Sequence, residues 1–297
     1  MTQHSSALRR VLSRVYGRAR RAYVGFITRE FHKLPPQSGS GMYGEAFRFC
    51  ADGLATIHNC DFLRDPRFAA AYRAGESTGS WKGWPLQWRA HILCCAAEHA
   101  ARLPGDFVEC GVNRGGNARM IIEYLRPSSS FETHRTAGRG PPCDAPQDEV
   151  ERGREAFASR KFYLLDTFAG FAEQYLSEAE KRGVANHYRY SDCLADVQQT
   201  FAPFPFVEIV PGPVPDTLSR VAAERIAFLS IDMNCVAPEI AAAEFFWPKL
   251  VPGALIVLDD YGQSRHYDQK IAFDRFAQAK GVPVFSLPTS QGLIIKP

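Results

Sequence analysis

Short apolar runs, most of them ending in an acidic residue, alternate with segments of helical spacing through the C-terminal two thirds of the chain. Phe107-Val108 precedes Glu109, Phe162-Tyr-Leu-Leu precedes Asp166, Ile226-Ala-Phe-Leu-Ser-Ile precedes Asp232, and Ala254-Leu-Ile-Val-Leu precedes Asp259 and Asp260; Val207-Glu-Ile-Val is a further run. Each is about strand length and too short to read as a lone helix. Between the runs at 226 and 254, the spacing predicts a helix with Pro238 at its first position and Glu239 in its first turn, where the helix dipole favours negative charge. That helix ends near Trp247-Pro248, and Val251-Pro252-Gly253 turns the chain into the next strand. The unit is a strand–helix–strand crossover, so its strands are parallel and their carboxyl ends lie on one edge of the sheet. Ligands bind at that edge in open α/β sheets.

Residues 43–104 read as helical. Asp65-Pro66 is a cap followed by proline at the first helical position, and Gly75 is expected to end that helix. Trp81-Lys-Gly-Trp84-Pro85 is an aromatic turn. A second helix over about residues 86–102 is expected to turn Trp88, Ile92, Cys95 and Ala96 inward and to leave Glu98 and His99 on the surface. Near the C-terminus a helix over 267–280 precedes strands at 282–287 and 292–296, whose short connection makes them an antiparallel pair. Residues 34–42 are a linker by composition, and 127–160 are a surface insertion with one short helix around 148–158. The expected organisation is a basic arm and linker over 1–42, a helical region over 43–104 and an α/β domain over 105–297.

Composition narrows the field. The chain has 297 residues, with ordinary apolar and charged fractions of 45% and 23%, and a net charge of +3 that is too small to imply nucleic acid. Its eight cysteines, Cys50, Cys60, Cys94, Cys95, Cys110, Cys143, Cys193 and Cys235, form no Cys-x-x-Cys pair, and several lie in apolar patterns. Reduced thiols and a cytoplasmic compartment are expected. The positive charge is concentrated in residues 1–33, where Arg9, Arg10, Arg14, Arg18, Arg20 and Arg21 interleave with Leu8, Val11, Leu12, Val15 and Tyr16. The readings of this arm are peripheral contact with an anionic membrane, a targeting leader, a solvated arm, or a helix packing on a partner subunit of a homo-oligomer.

Two features carry chemistry. The first is acidic: Asp232, Asp259 and Asp260 converge on one crevice if the crossover is right. Mutual repulsion would then raise at least one pKa unless a hard divalent ion such as Mg²⁺ takes the oxygens. The alternative is that Asp232 caps a helix while Asp259 and Asp260 belong to a solvated turn. The second is the glycine-rich turn after the strand at 106, where Glu109 is followed by Gly111, Gly115 and Gly116. Gly-x-x-x-Gly-Gly is not the dinucleotide spacing, and Glu109 would repel a pyrophosphate but suits a cationic ligand, which argues against a nicotinamide oxidoreductase. Asp166, ending the next strand, either accepts ribose hydroxyls or caps a helix.

These blocks resemble the macrocin-type (TylF/MycF) O-methyltransferase family of class I S-adenosylmethionine (SAM) methyltransferases. The resembling segments are GDFVECGVNRGG at 105–116, LDTFAGF at 165–171, IDMNCVAPE at 231–239, GALIVLDDYG at 253–262 and PTSQGLIIK at 288–296. Asp259 and Asp260 stand 27 and 28 residues after Asp232, matching the family's metal spacing without a gap. The resemblance implies a Rossmann-like, doubly wound sheet of seven strands, mostly parallel with the last reversed. It implies methylation of a sugar hydroxyl on a small-molecule or glycan acceptor, with SAM and Mg²⁺ as cofactors. It implies that Asp232, Asp259 and Asp260 hold the metal, that Glu109 and Gly111 hold the methionine end of SAM, and that Asp166 holds the ribose. Asp232 is a candidate base as well as a ligand, and His266 is a second base candidate against the reading of a surface loop histidine. The chain departs from macrolide-type members at Asn234, where they carry a second acid, at Val236, where they carry tyrosine, and at Asn117. Other readings are a metal-dependent methyltransferase of another diol or a catechol, and a non-catalytic SAM-binding module recruited through the basic arm.

Overall fold

Seven strands form one sheet in the order β5-β4-β3-β6-β7-β9-β8 in the computed structural model, which describes residues 47–126, 160–183 and 191–297. The strands are β3 (Asp106–Cys110), β4 (Phe162–Asp166), β5 (Val207–Pro211), β6 (Ile226–Ile231), β7 (Leu250–Leu258), β8 (Phe285–Ser286) and β9 (Gly292–Ile295). β3 pairs in parallel with both β4 and β6, and β6 with β7, whereas β9 is antiparallel to β7 and to β8. The reversed strand is therefore the last in sequence, as the apolar runs and the resemblance imply. The order of strands reverses at β3, so the crevice between β3 and β6 is the switch point where such sheets bind ligands.

Continuous apolar runs form the central strands because both faces of the sheet are covered. Phe107, Phe162 and Phe228 are fully buried on neighbouring strands, with ring centroids 5.7 Å apart for Phe107–Phe162 and 5.2 Å for Phe107–Phe228. Each such ring contributes about 1.5–3 kcal/mol by leaving water.

The chain divides into two compact units, one ending at Asp61 and the other running from Phe62 to Pro297. In the smaller, β1 (Phe49–Ala51) and β2 (Leu54–Thr56) form an antiparallel hairpin, where a helix was expected. Its turn is Asp52-Gly53, both at positive φ (50° and 75°), the conformation that two-residue hairpin turns require. The larger unit holds the sheet and α1 (Pro66–Glu76), α2 (Gln87–Ala100), α3 (Gly116–Leu125), α4 (Glu178–Arg182), α5 (Leu194–Phe201), α6 (Val236–Phe246) and α7 (Tyr267–Lys280). The arm, the linker and the helix expected around 148–158 lie outside the described residues.

Three local expectations are corrected. Gly75 lies inside the last turn of α1 instead of ending it. A Cβ there would stand 2.5 Å from the Trp81 ring and 2.7 Å from the Gly116 carbonyl, so this glycine serves close packing of α1 on α3. Helix α6 starts at Val236, with Cys235 as its cap, which makes Pro238 the third residue of the first turn, still free of any intrahelical donor duty. The inward face of α2 is not that of Trp88, Ile92 and Cys95: it carries Arg89, Ala90, Leu93, Cys94, Ala96, Ala97 and Ala100. Ala96 is the one residue of the expected face that is buried, and Cys95 is exposed. Arg160 holds the end of this helix by donating to the carbonyls of Ala100, Ala101 and Leu103 at 3.2, 3.2 and 2.8 Å.

Candidate active site

The ladder register delivers the acids. Cys110 stands opposite both Leu165 and Ile231, and Ile231 opposite Leu258, so the next residues of β6 and β7, Asp232 and Asp259, emerge side by side. The Asp232 amide donates to Cys110 O at 2.8 Å and the Asp259 amide to Ile231 O at 3.0 Å. Asp232, Asp259 and Asp260 each offer one carboxylate oxygen within 4.8 Å of the others.

Neither alternative role for these acids is seen. Asp232 is not the cap of α6, and the Asp259 and Asp260 side chains are only 16% and 10% exposed. Burial, then the charges of Asp259 and Asp260, push the Asp232 pKa well above the ordinary carboxylate range. Burial, then Asp259, raises Asp260, against the lowering effects of His266 and Arg89. Behind them Glu239, buried and near Asp260, is raised to about 8, although the Met233 amide and Gln269 Nε2 donate to it at 3.0 and 2.7 Å. Three converging carboxylates of this kind suit a hard divalent cation as a donor set.

Other side chains share these oxygens. Asn234 Nδ2 donates to Asp232 Oδ1 at 3.1 Å, so asparagine supports the anion where a second acid would repel it. Gln291, fully buried, donates to Asp259 Oδ1 at 3.2 Å. Arg89 of α2 reaches Asp259 Oδ2 at 2.5 Å and Asp260 Oδ1 at 3.4 Å, and its other terminal nitrogen reaches Ser290 Oγ at 2.9 Å. None of Arg89, Ser290 and Gln291 was legible as a site residue. The one signal was an arginine in an alanine- and leucine-rich helical stripe.

His266 is 4% exposed, not a surface residue, and its Nε2 stands 3.6 Å from Asp260 Oδ2. A cavity of about 50 Å³ is lined by Asp232, Asp259, Arg89 and Asn117 together with Trp81 and apolar residues of the α2 region; His266 is not in its lining.

The glycine turn leads directly into Asn117 of this cavity's lining. Glu109 is 1% exposed, and neither of its carboxylate oxygens has a geometrically sound hydrogen-bond partner among the described residues. Burial, then the charge of Asp166, raises its pKa well above the usual range, while Asn117 and the Ala118 amide act in the opposite sense. A carboxylate orphaned in this way fits a cationic ligand such as an ammonium group. Gly111 (φ 92°) lets the turn approach β6, since a Cβ would fall 1.8 Å from Asp232 O. Gly115 and Gly116 face Phe201 and the Ser80-Trp81 pair, so the close approaches seen at all three glycines are between protein segments.

Asp166 has an organising role. Its Oδ2 accepts from the Val112 and Asn113 amides at 2.7 and 2.8 Å, and its Oδ1 from the Phe168 amide at 2.7 Å. It therefore ties the glycine turn to the end of β4.

The sequence profile of the macrocin O-methyltransferase (TylF) family matches residues 152–285. The 8-demethyl-8-(2,3-dimethoxy-α-L-rhamnosyl)-tetracenomycin-C 4′-O-methyltransferase of Streptomyces olivaceus is 29% identical over 168 residues, 57% of this chain and 57% of that protein. The mycinamicin III 3″-O-methyltransferase of Micromonospora griseorubida is 26% identical over 185 residues, 58% of this chain and 62% of that protein. The match thus spans less than two thirds of either relative. Among solved structures, the O-methyltransferase NovP (TM-score 0.56, 17% identity) is covered over 97% of its length by 80% of this chain. The calicheamicin methyltransferase CalS11 (TM-score 0.52, 17% identity) is covered over 98% by 87% of this chain. Both likenesses concern the fold, which is that of class I methyltransferases. Residues 152–285 of the chain are thus similar to the macrocin O-methyltransferase (TylF) family.

Proposed function

We propose that the protein is a SAM- and Mg²⁺-dependent O-methyltransferase acting on a sugar hydroxyl of a glycosylated small molecule. The observation that carries this reading is an orphaned buried carboxylate, Glu109, that feels the charge of Asp259, one of three converging aspartates. Two relatives are named for methylation at positions of glycosylated natural products, which supports a sugar acceptor.

In this reading Glu109 receives the ammonium group of SAM, and Asp166 holds the turn of Gly111, Gly115 and Gly116 in the shape that receives the rest of the methionine end. SAM supplies a methyl group on a positively charged sulfur. Asp232, Asp259 and Asp260 would hold Mg²⁺, which would supply the positive charge that lowers the pKa of an acceptor hydroxyl. Much of the acceleration comes from alignment, which the rigid sheet edge provides. Asp232 lines the cavity, which places it to accept the hydroxyl proton, a contribution of about 10²–10⁴-fold. His266 acts on Asp260 and has a positioning role.

The test is turnover of labelled SAM with a panel of glycosylated acceptors, with and without chelator, alongside calorimetry of SAM. Asp260→Asn and chelated parent protein should both bind SAM and both be nearly inactive. Full turnover in chelator would sink the metal reading and assign the neutralising charge to Arg89.

A further inference from the structure

We infer that Arg89 is an internal counter-cation of the acidic triad, which a divalent ion must displace from Asp259, so that Arg89 sets the site's metal affinity. The inference rests on the reading of the triad as a metal site.

Arg89 is 7% exposed and is the only charged residue on the buried face of α2. Nothing in the apolar packing of that face calls for a guanidinium. Its partners are specific: Nη1 meets Asp259 Oδ2 and the Asp259 carbonyl (2.5 and 3.3 Å) and Asp260 Oδ1 (3.4 Å), and Nη2 meets Ser290 Oγ. Two of the three acids are thus already bonded to a cation. One guanidinium facing three carboxylates leaves an excess of negative charge.

A guanidinium and a divalent ion draw on the same oxygen lone pairs, and two cations sharing one carboxylate repel each other. Metal binding therefore competes with the Arg89–Asp259 bond. Arg89 lines the same cavity as Asp232 and Asp259, and so do Ala90 and Leu93 of the same helix. Displacing Arg89 thus removes a polar tether between α2 and the sheet edge, and metal loading loosens the wall of the cavity that a sugar must enter.

The experiment is calorimetric titration of the full chain with Mn²⁺ and with Mg²⁺ alone, comparing parent protein with Arg89→Gln, with amide hydrogen exchange of residues 87–100 followed in parallel. Arg89→Gln should bind the ion at least about tenfold more tightly, because the competitor is gone. In the parent protein, exchange across 87–100 should rise on adding metal. Equal or weaker affinity in Arg89→Gln overturns the inference and leaves the metal site standing. No binding to either protein overturns both. If Arg89→Gln does not fold, Ser290→Ala removes the second tether of the guanidinium and should tighten metal binding by roughly two- to fivefold; an unchanged affinity there overturns the inference.

Discussion

His266 Nε2 lies 3.6 Å from Asp260 Oδ2, with the two side chains only 2% and 10% exposed. The contact links the first turn after β7 to one of the three converging acids, from a position outside the cavity lining. Replacing His266 by Gln should therefore cost less activity than replacing Asp232 by Asn. About tenfold is expected for the former and about 10²–10⁴-fold for the latter. The pH profile of kcat separates the roles: Asp232→Asn should abolish its acidic limb, whereas His266→Gln should only shift it. An abolished limb in His266→Gln would make the histidine the base.

Glu109→Gln keeps shape and removes the charge that awaits a cation. SAM should bind more weakly by about 1.5–3 kcal/mol, the worth of a hydrogen bond to a charged group. The free protein should melt at the same temperature or higher, because an ionisable group with a disfavoured anion has gone. Calorimetry showing unchanged SAM affinity would remove Glu109 from the site.

Asp166→Ala should do two things at once. Three backbone amides of the turn and of Phe168 lose their acceptor. Stability should fall by about 2–5 kcal/mol in denaturant unfolding, and SAM affinity should fall with it. Weakened SAM binding with unchanged stability would instead point to direct contact with the ribose.

Four carboxyls, Glu109 and Glu239 buried and Asp232 and Asp260 partly buried, have raised pKa values. A raised value means that the folded state holds its proton longer than the unfolded chain does. For Glu239 the stabilisation is complete below the ordinary 4.5 and is lost as pH rises to about 8. Metal-free protein should accordingly lose stability across that window, by at most about 1.4 kcal/mol per pH unit for each group titrating. Saturating Mg²⁺ should flatten the slope, since it favours the anions of the triad. Melting curves across the window, with and without the ion, would expose a flat metal-free profile if the acids are not coupled in this way.

Elements whose signal is local were legible from the chain alone. β3, β4 and β6 and the helix Tyr267–Lys280 follow from apolar runs and from helical spacing, and α1 starts where Asp65-Pro66 says it should. The meeting of Asp232 with Asp259 was legible because a crossover between parallel strands admits one geometry. What escaped depends on partners distant in sequence. Gly75 reads as a stop when only its own conformation is considered, yet its place is set by the Gly116 carbonyl. Arg89 disguised the inward face of α2, since a charge in an apolar stripe shifts the apparent face by one residue. Asp166 and Glu239 accept from backbone amides, which no side-chain pattern reveals.

The reversed strand β9 has a consequence for biosynthesis. It inserts between β7 and β8, and the tight loop before it carries Ser290 and Gln291, which hold Arg89 and Asp259. The parallel strands that bear the acids leave the ribosome well before that loop does. During translation the three aspartates therefore face one another without these two stays, and the pocket is completed only when the final hairpin docks. An extension at the C-terminus that delays that docking would act on the acidic crevice, although it is attached to a strand bearing none of its acids.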